Sequence, residues 1–356
     1  MSRQSTADVR PRARRTVRTR NGRFSRRLDL RIGVILLLAG AVTVGLAVYG
    51  MTLGAVEVPF TEIPATLIGQ GSGQYDLVVL ELRLPRVAVA VLAGIALGVS
   101  GALFQSFARN PLVSPDIIGV NTGASLVAVA LLTIYSSHVA FLPLGAFAGA
   151  IAAAAVVYLN ARSGHVSPYR LVLIGIGVDV FCRAGVSYLL VQGESMRAQA
   201  AVRWMVGSLD QATPTSMWFL TTVVVFLVPA AMLLRRPMEA MTLGEDTAKA
   251  LGADPKRMRM ATLAVGVMLA ASVVAICGPI SFVAFIAPHM ARRLANAPGT
   301  AILPVAGAVG ALLVLVSDLL VQHVIPASLP LGVITPLLGG PYFLYLLRRV
   351  GRQEAG

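Results

Sequence analysis

Long apolar runs, separated by short polar segments, occupy most of this chain. A membrane-crossing helix needs about 20 apolar residues to span about 30 Å of hydrocarbon. Nine runs have a suitable length, at 32–53, 84–107, 117–135, 139–159, 169–192, 214–234, 258–277, 301–321 and 331–347. Between the seventh and eighth of these, the apolar segment from Gly278 to about Leu294 contains Pro279 and Pro288, which predict a kinked or broken helix. The pattern predicts an all-α polytopic membrane protein with ten transmembrane helices.

Basic residues are distributed unevenly between the segments that join these runs. With a cytoplasmic N-terminus, the cytoplasmic segments contain 25 Lys and Arg residues. The external segments contain only four, which are Arg83, Arg86, Arg197 and Arg203. Because cytoplasmic loops carry such an excess, both termini are predicted to be cytoplasmic. The expected organisation is an Arg-rich tail at 1–31, a transmembrane domain at 32–350 and a C-terminal tail at 351–356.

The composition and the placement of charge narrow the class further. Hydrophobic residues make up 56% of the chain and charged residues 13%, which excludes a soluble domain. Eleven arginines of the strongly basic chain lie in 1–31, directly before the first apolar run and with few aromatic residues among them. This placement favours contact with membrane lipids and argues against nucleic-acid binding. Cys182 and Cys277 lie inside apolar runs and the four histidines are scattered, so no metal site is predicted.

The longest charged interruption follows the sixth run and contains a short-helix pattern. Thr242 followed by Glu245 is typical of a capping box, and Gly252 is typical of a left-handed helix end. Asp254-Pro255 predicts the start of the next helix. A free helix of about eight residues is marginal in water, so this one needs a surface to dock against. Its docking face is predicted to contain Leu243, Ala250 and Leu251.

Small residues recur at a spacing of four inside the runs. They form Gly94-x-x-x-Gly98, continued by Gly101, and Gly145-x-x-x-Gly149. Small residues at this spacing allow the backbones of two membrane helices to approach closely. The pattern predicts a tightly packed helix bundle, with or without a transport pathway.

Few charged residues occur at membrane depth. Asp179 and Arg183 are four residues apart in the fifth run and can pair on one helix face, and Asp318 lies in the ninth predicted helix. Carboxylates at such positions are typical of ion-coupled carriers, so a secondary carrier that uses Asp179 and Asp318 is one hypothesis. A structural ion pair with an interfacial aspartate is the other.

The chain carries no recognisable catalytic or nucleotide-binding motif. Its only lysines, Lys249 and Lys256, do not follow a glycine-rich phosphate loop, and neither G-x-S-x-G nor H-E-x-x-H occurs. We therefore predict that the chain is not an enzyme and binds no cofactor directly. If ATP drives transport, a partner subunit must use the ATP and Mg²⁺.

Several ordered motifs resemble one family, the permease subunits of type II ABC importers for iron–siderophore complexes, haem and cobalamin. The resemblance covers nearly all of 30–350. Its landmarks are RLPR at 83–86, AGIALGVSGALFQSFARNPLVSPDIIGVNTGA at 93–124, LGEDTAKALG at 243–252, GPISFVAFIAPHMARR at 278–293 and LPLGVITPLLGGPYFLYLL at 329–347. The details GVNTGA, LVLIGIGV and LGG are similar to one of the two permeases of ferric-enterobactin importers.

The resemblance implies a type II ABC importer permease fold in the bacterial plasma membrane. Two permeases, here expected to be different homologous chains, would form one pathway with two ATP-binding subunits on the cytoplasmic face. An extracytoplasmic solute-binding protein would deliver the substrate, expected to be a ferric siderophore of the catecholate type. Haem and cobalamin stay open as alternatives.

The resemblance also implies roles for particular residues. The segment at about 242–252 corresponds to the family's ATPase-coupling helix, with candidates Leu243, Gly244, Glu245, Asp246, Ala250, Leu251 and Gly252. Binding-protein docking is expected at Arg83 and Arg86, and less strongly at Arg197 and Arg203. Candidates for the pathway or for helix breaks are Gln105, Asn110, Pro111, Pro279 and Pro288.

Overall fold

The computed structural model of the protein describes residues 14–18, 25–134, 140–161, 168–296, 299–324 and 329–354, and helices dominate it. The helices are α1 (Leu30–Thr52), α2 (Glu62–Leu67), α3 (Leu84–Ala108), α4 (Val120–Ile134), α5 (Leu142–Ala161), α6 (Pro168–Gln192), α7 (Ser195–Val206), α8 (Pro214–Met241), α9 (Glu245–Ala250), α10 (Pro255–Cys277), α11 (Val283–Ala295), α12 (Leu303–His323) and α13 (Leu331–Glu354). In the N-terminal tail, β1 (Arg14–Arg18) pairs antiparallel with β2 (Ser25–Asp29).

Each of the ten predicted stretches contains a helix. Seven helices of the described chain are long and apolar enough to cross a membrane. A π-helix, Leu77–Arg83, directly precedes α3 and extends this apolar element back to Leu77. The helices α4, α11 and the described apolar part of α13 are shorter. The molecule is thus an all-helical polytopic bundle, while the ten-span count and the cytoplasmic termini stay predictions from the apolar runs and the charge distribution along the sequence.

The helix α3 lies at the centre of the bundle, packed against α8, α10, α11 and α12. Its glycines allow this packing, because a Cβ atom on Gly94 would lie 2.3 Å from the carbonyl oxygen of Gly310. A Cβ on Gly101 would lie 1.7 Å from the carbonyl oxygen of Ala284. On α5, Gly149 meets the backbone of Gly123 on α4 in the same way. The close helix approach that the small-residue spacing predicts is therefore confirmed.

We expect Gly98→Leu to lower the free energy of unfolding by about 3 kcal/mol or more, because the core at this contact cannot absorb a side chain. A Cβ on Gly98 would lie 2.1 Å from the carbonyl oxygen of Ala306 on α12. Thermal unfolding in detergent measures the loss. Gly40→Leu on α1 is the matched control, since no atom lies within 4 Å of a Cβ there. Equal losses in the two variants would contradict the packing argument.

The broken helix occurs where the prolines predict a break. The helix α10 ends at Cys277, Gly278 takes a left-handed φ of 69°, and the chain stays irregular through Pro279 until α11 begins. The freed carbonyl of Cys277 accepts a hydrogen bond of 2.8 Å from the backbone N–H of Ser208, so the break is satisfied by a neighbouring segment. Pro288 lies inside α11 and does not end it.

Two helical segments differ from the prediction. The helix α8 continues to Met241, past the predicted end at residue 234, although it contains Pro229 and Pro237. An ion pair of 3.0 Å between Arg235 and Glu239, one turn apart, stabilises the added turns. The amphipathic helix α7 was not predicted, because it is too polar to register as a membrane span.

Candidate coupling and pathway sites

The short helix α9 lies at one end of the bundle, between the ends of α8 and α10, and we call this end the coupling end. Its N-cap is Gly244, with a φ of 109°, and Gly252 ends the segment with a φ of 82°. The predicted capping box of Thr242 and Glu245 is wrong. The hydroxyl of Thr242 instead donates a hydrogen bond of 2.7 Å to the carbonyl of Glu239, because α8 extends far enough to make Thr242 its C-cap. The predicted Asp254 cap is confirmed, since this carboxylate accepts from two backbone N–H groups of α10.

One face of α9 packs on the bundle and the other is exposed. Ala248 is fully buried, whereas Leu243 and Leu251 are 66% and 64% exposed. Ala250 and Asp246 also face outward, and within the described residues Asp246 pairs only with Lys249, at 3.5 Å. Glu245 begins the helix, and its side chain lies outside the described part of the chain. The predicted docking face is therefore unoccupied by the rest of the described chain.

A cavity of about 220 Å³ connects the base of α9 to the end of α3. It is lined by Ser106, Phe107, Arg109, Met238, Met241, Thr242, Gly244, Arg259 and Thr262. Arg109 takes a left-handed φ of 50° at the C-cap of α3, and its guanidinium donates a hydrogen bond to the carbonyl of Met241. Arg109 was not among the predicted site residues, although its place directly after an apolar run marks a helix end. This bond ties α3 to the chain that leads into α9.

The pathway candidates of α3 lie at the same end. The Gln105 amide donates a hydrogen bond of 3.0 Å to the carbonyl of Phe285 and accepts one from Arg292, both on α11. Asn110 and Pro111 form an exposed turn in which the Asn110 side chain accepts from the backbone N–H of Leu112 at 2.9 Å. The coupling end therefore brings together α9, the end of α3 and the broken-helix segment α11.

The four candidate docking arginines lie at the opposite end of the bundle. Arg83 donates a hydrogen bond of 2.6 Å to the carbonyl of Met51 and a second one to Val56, so it fastens the loop after α1. Arg197 pairs with Glu194 at 3.2 Å, and Arg203 is exposed on α7. Of the four, only Arg203 has no hydrogen-bond or ion-pair partner within the described chain.

Arg86 belongs to an ion-pair network that the sequence analysis did not foresee. Its guanidinium contacts Asp318 through Nη2 at 2.8 Å and Nε at 3.1 Å, and it contacts Asp210 through Nη1 at 2.9 Å. Asp318 is fully buried and also accepts a hydrogen bond of 2.6 Å from Gln322. Every oxygen of this carboxylate is thus engaged, which fits a structural role better than the uptake of an ion. Asp210 gave no sequence signal, because it lies in a loop with no periodic pattern.

The second charged pair lies on α6. Asp179 Oδ2 accepts a bond of 2.7 Å from Arg183 Nε, as the spacing of four predicts. Asp116 lies close by, in a 3₁₀ turn (Pro115–Ile118) that packs against α6. Burial raises the pKa of the Asp116 carboxyl to about 6, with the charge of Asp179 adding to the rise and a hydrogen bond from Ser114 opposing it. The Asp179–Arg183 pair thus lies near the middle of α6, a helix with most of its surface exposed in the described chain.

Comparison with known proteins agrees with this architecture. The model of the FecCD transport family matches residues 37–349. The chain is 39% identical, over 91% of its length and 98% of the relative, to the ferric enterobactin transport system permease protein FepG of Escherichia coli (strain K12). It is 34% identical, over 90% and 96%, to the Fe(3+)-citrate import system permease protein YfmE of Bacillus subtilis (strain 168).

A solved structure points the same way. It is named as an inward-facing conformation of a metal-chelate type ABC transporter, and it superposes with a TM-score of 0.80 at 26% identity. The match covers 89% of this chain and 99% of that one. Since the family model takes in almost the whole helical domain, from α1 to α13, the chain belongs to the FecCD transport family.

Proposed function

We propose that the chain is one permease subunit of an ATP-driven importer in the bacterial plasma membrane, and that it carries a ferric siderophore into the cytoplasm. Family membership supports the importer class, and the FepG relative supports a catecholate substrate of the enterobactin type. The observation that carries the proposal is α9, a short helix held on the bundle by Ala248, while Leu243 and Leu251 at its two ends face outward. Because the sequence carries no nucleotide-binding motif, ATP-driven transport requires a surface like this one for contact with a separate ATPase subunit.

The proposed assembly contains a second permease chain, two ATP-binding subunits and an extracytoplasmic solute-binding protein. ATP closes the ATPase pair and moves α9. The Arg109–Met241 bond passes this movement to the end of α3, where Gln105 joins α3 to α11. The bundle thereby alternates between outward-open and inward-open states.

Docking of the solute-binding protein is assigned to the end that carries Arg83, Arg86, Arg197 and Arg203. Arg203 is the best placed for direct contact, because it is exposed and has no partner within the described chain. Arg86 and Arg83 hold the surface in shape through their bonds to Asp318, Asp210 and the loop after α1. Exposed charges at the rim of an interface chiefly set the association rate and the orientation of the partners.

The ion-coupled carrier is the alternative, and it has less support. Asp318 is occupied by Arg86 and Gln322, and Asp179 is occupied by Arg183. A carrier needs a carboxylate that can exchange its ion, whereas both of these are held by cations.

Reconstitution of the chain with its permease partner and ATPase in proteoliposomes tests the proposal. With the solute-binding protein outside and Mg-ATP inside, we expect accumulation of a radiolabelled ferric catecholate chelate. Haem, cobalamin and a ferric hydroxamate chelate form the comparison panel. Uptake by this single polypeptide, driven by an ion gradient without the ATPase, would overturn the importer and favour the carrier.

A further inference from the structure

Three long helices, α1, α6 and α8, have most of their surface exposed in the described chain. The outward faces of α1 and α8 are apolar in their central turns, with residues such as Leu37, Val42, Val225 and Phe226. Faces of this kind suit contact with lipid chains. The outward face of α6 is different, because a charged pair lies within it.

The charge on α6 lies deep within the membrane span. Arg183 is 69% exposed, and it lies about 14 Å from one end of α6 and about 22 Å from the other at about 1.5 Å per residue. A guanidinium that faced hydrocarbon at this depth would be strongly disfavoured, by at least about 2.5 kcal/mol. The α6 face that carries Arg183 therefore faces an aqueous or protein-lined space rather than lipid.

The geometry of the pair leaves one edge of the guanidinium available. Arg183 is bonded to Asp179 through Nε, at 2.7 Å, and its two Nη atoms have no partner within the described chain. Asp179 is about one-quarter exposed, so it fixes the guanidinium from the side while the Nη edge is presented outward. Two parallel N–H donors on a fixed cation match the paired oxygens of an anionic ligand.

Because two carboxylates lie near Arg183, its guanidinium determines the sign of the local charge. Asp179 and Asp116 contribute two acidic groups to this part of the molecule. Loss of the guanidinium would leave Asp179 without its partner on this face, and its negative charge would repel an anion. Loss of Asp179 would leave the cation in place and free it further.

We propose that Arg183 lines the substrate pathway and is the residue of this chain that selects negatively charged iron chelates over uncharged ones. The inference rests on the proposed import function, and it adds a specificity-determining group to it. Asp179 acts as the positioning residue that orients the guanidinium.

The test uses the complete reconstituted complex and two radiolabelled probes, a negatively charged ferric tris-catecholate and an uncharged ferric tris-hydroxamate. For Arg183→Gln we expect the uptake efficiency of the anionic probe to fall by about 10-fold or more, equal to about 1.4 kcal/mol. Uptake of the uncharged probe should stay the same or rise. Arg183→Lys should recover much of the anionic uptake, because it keeps the charge. Arg257→Gln is the matched control, since it removes an arginine from a similar exposed pair with Asp254 at the coupling end, where any loss should lower the uptake of both probes equally.

The double variant Asp179→Asn/Arg183→Gln distinguishes substrate selection by Arg183 from a purely structural role of the ion pair. This comparison needs only the anionic probe, so it holds even if the wild type rejects the uncharged one. With substrate selection, Asp179→Asn alone keeps or improves anionic uptake and the double variant stays impaired. If instead both single variants are equally harmful and the double variant recovers, the pair is only structural and the inference fails. Absence of any ferric-chelate uptake by the wild-type complex would be a failure of the proposed function itself.

Discussion

Replacing both Leu243 and Leu251 with aspartate should abolish ATP-driven uptake while the permease still folds. These side chains flank α9 and are 66% and 64% exposed, whereas Ala248, which attaches the helix to the bundle, is left unchanged. Burial of one leucine in a partner contributes about 1.5–3 kcal/mol. Loss of two such contacts should therefore weaken ATPase binding by about 100-fold or more. Co-purification of the ATPase subunit and coupled ATP hydrolysis in proteoliposomes measure the effect.

The matched control for this variant is Ile68→Asp. Ile68 is 68% exposed and follows α2, outside the apolar helices, so the variant also places an aspartate at an exposed apolar position. It should leave the permease–ATPase complex intact. If the double leucine variant co-purified with its ATPase and transported at the wild-type rate, α9 could not be the coupling surface.

The positions of the membrane helices could be predicted because hydrocarbon thickness fixes their length. The break after Cys277 could also be predicted, since a glycine and a proline in succession interrupt the hydrogen-bond ladder. The small-residue contacts followed from spacing alone, as Gly94 and Gly101 show. In each case a local property of the chain decides the structure.

Other features depend on partners that are distant in the sequence. Arg86 and Asp318 are 232 positions apart, and nothing near either residue announces the pair. The end of α8 was misplaced because the Arg235–Glu239 pair carries the helix through a charged stretch that resembles a loop. The cap of α9 moved with it, from Thr242 to Gly244. Spacing along the sequence thus predicts where the helices lie, but it does not predict which distant charged residues contact each other.

For the candidate site, the sequence identified the coupling segment but not its two faces. Only the packing shows that Ala248 is buried while Leu243 and Leu251 are exposed. The pairing of Asp179 with Arg183 was predictable from a spacing of four. That the pair lies on an exposed face could not be predicted, because the apolar residues around it give α6 no clear sidedness.

Asp318→Ala is expected to lower the free energy of unfolding by about 3–5 kcal/mol, because it leaves one member of a buried ion pair without its partner. The Arg86 side chain is only 21% exposed, and its remaining partner, Asp210, is mostly in solvent. Thermal unfolding in detergent measures the loss. The double variant Arg86→Leu/Asp318→Leu should recover most of it, since apolar side chains of similar volume often replace a buried pair without penalty.

Asp318→Asn extends this test to the ion-coupled alternative. An asparagine keeps the shape of the side chain, and its single oxygen can accept hydrogen bonds from Arg86 Nε and Gln322. Its NH2 group, however, meets the donor Arg86 Nη2, and the side chain cannot bind and release a proton. If Asp318 has a structural role, the folded Asn variant should keep ATP-driven uptake and have reduced thermal stability. A carrier that depends on this carboxylate predicts the reverse, with near wild-type stability and no uptake. Because Asp318 is fully buried and bonded to both neighbours, we expect the first result.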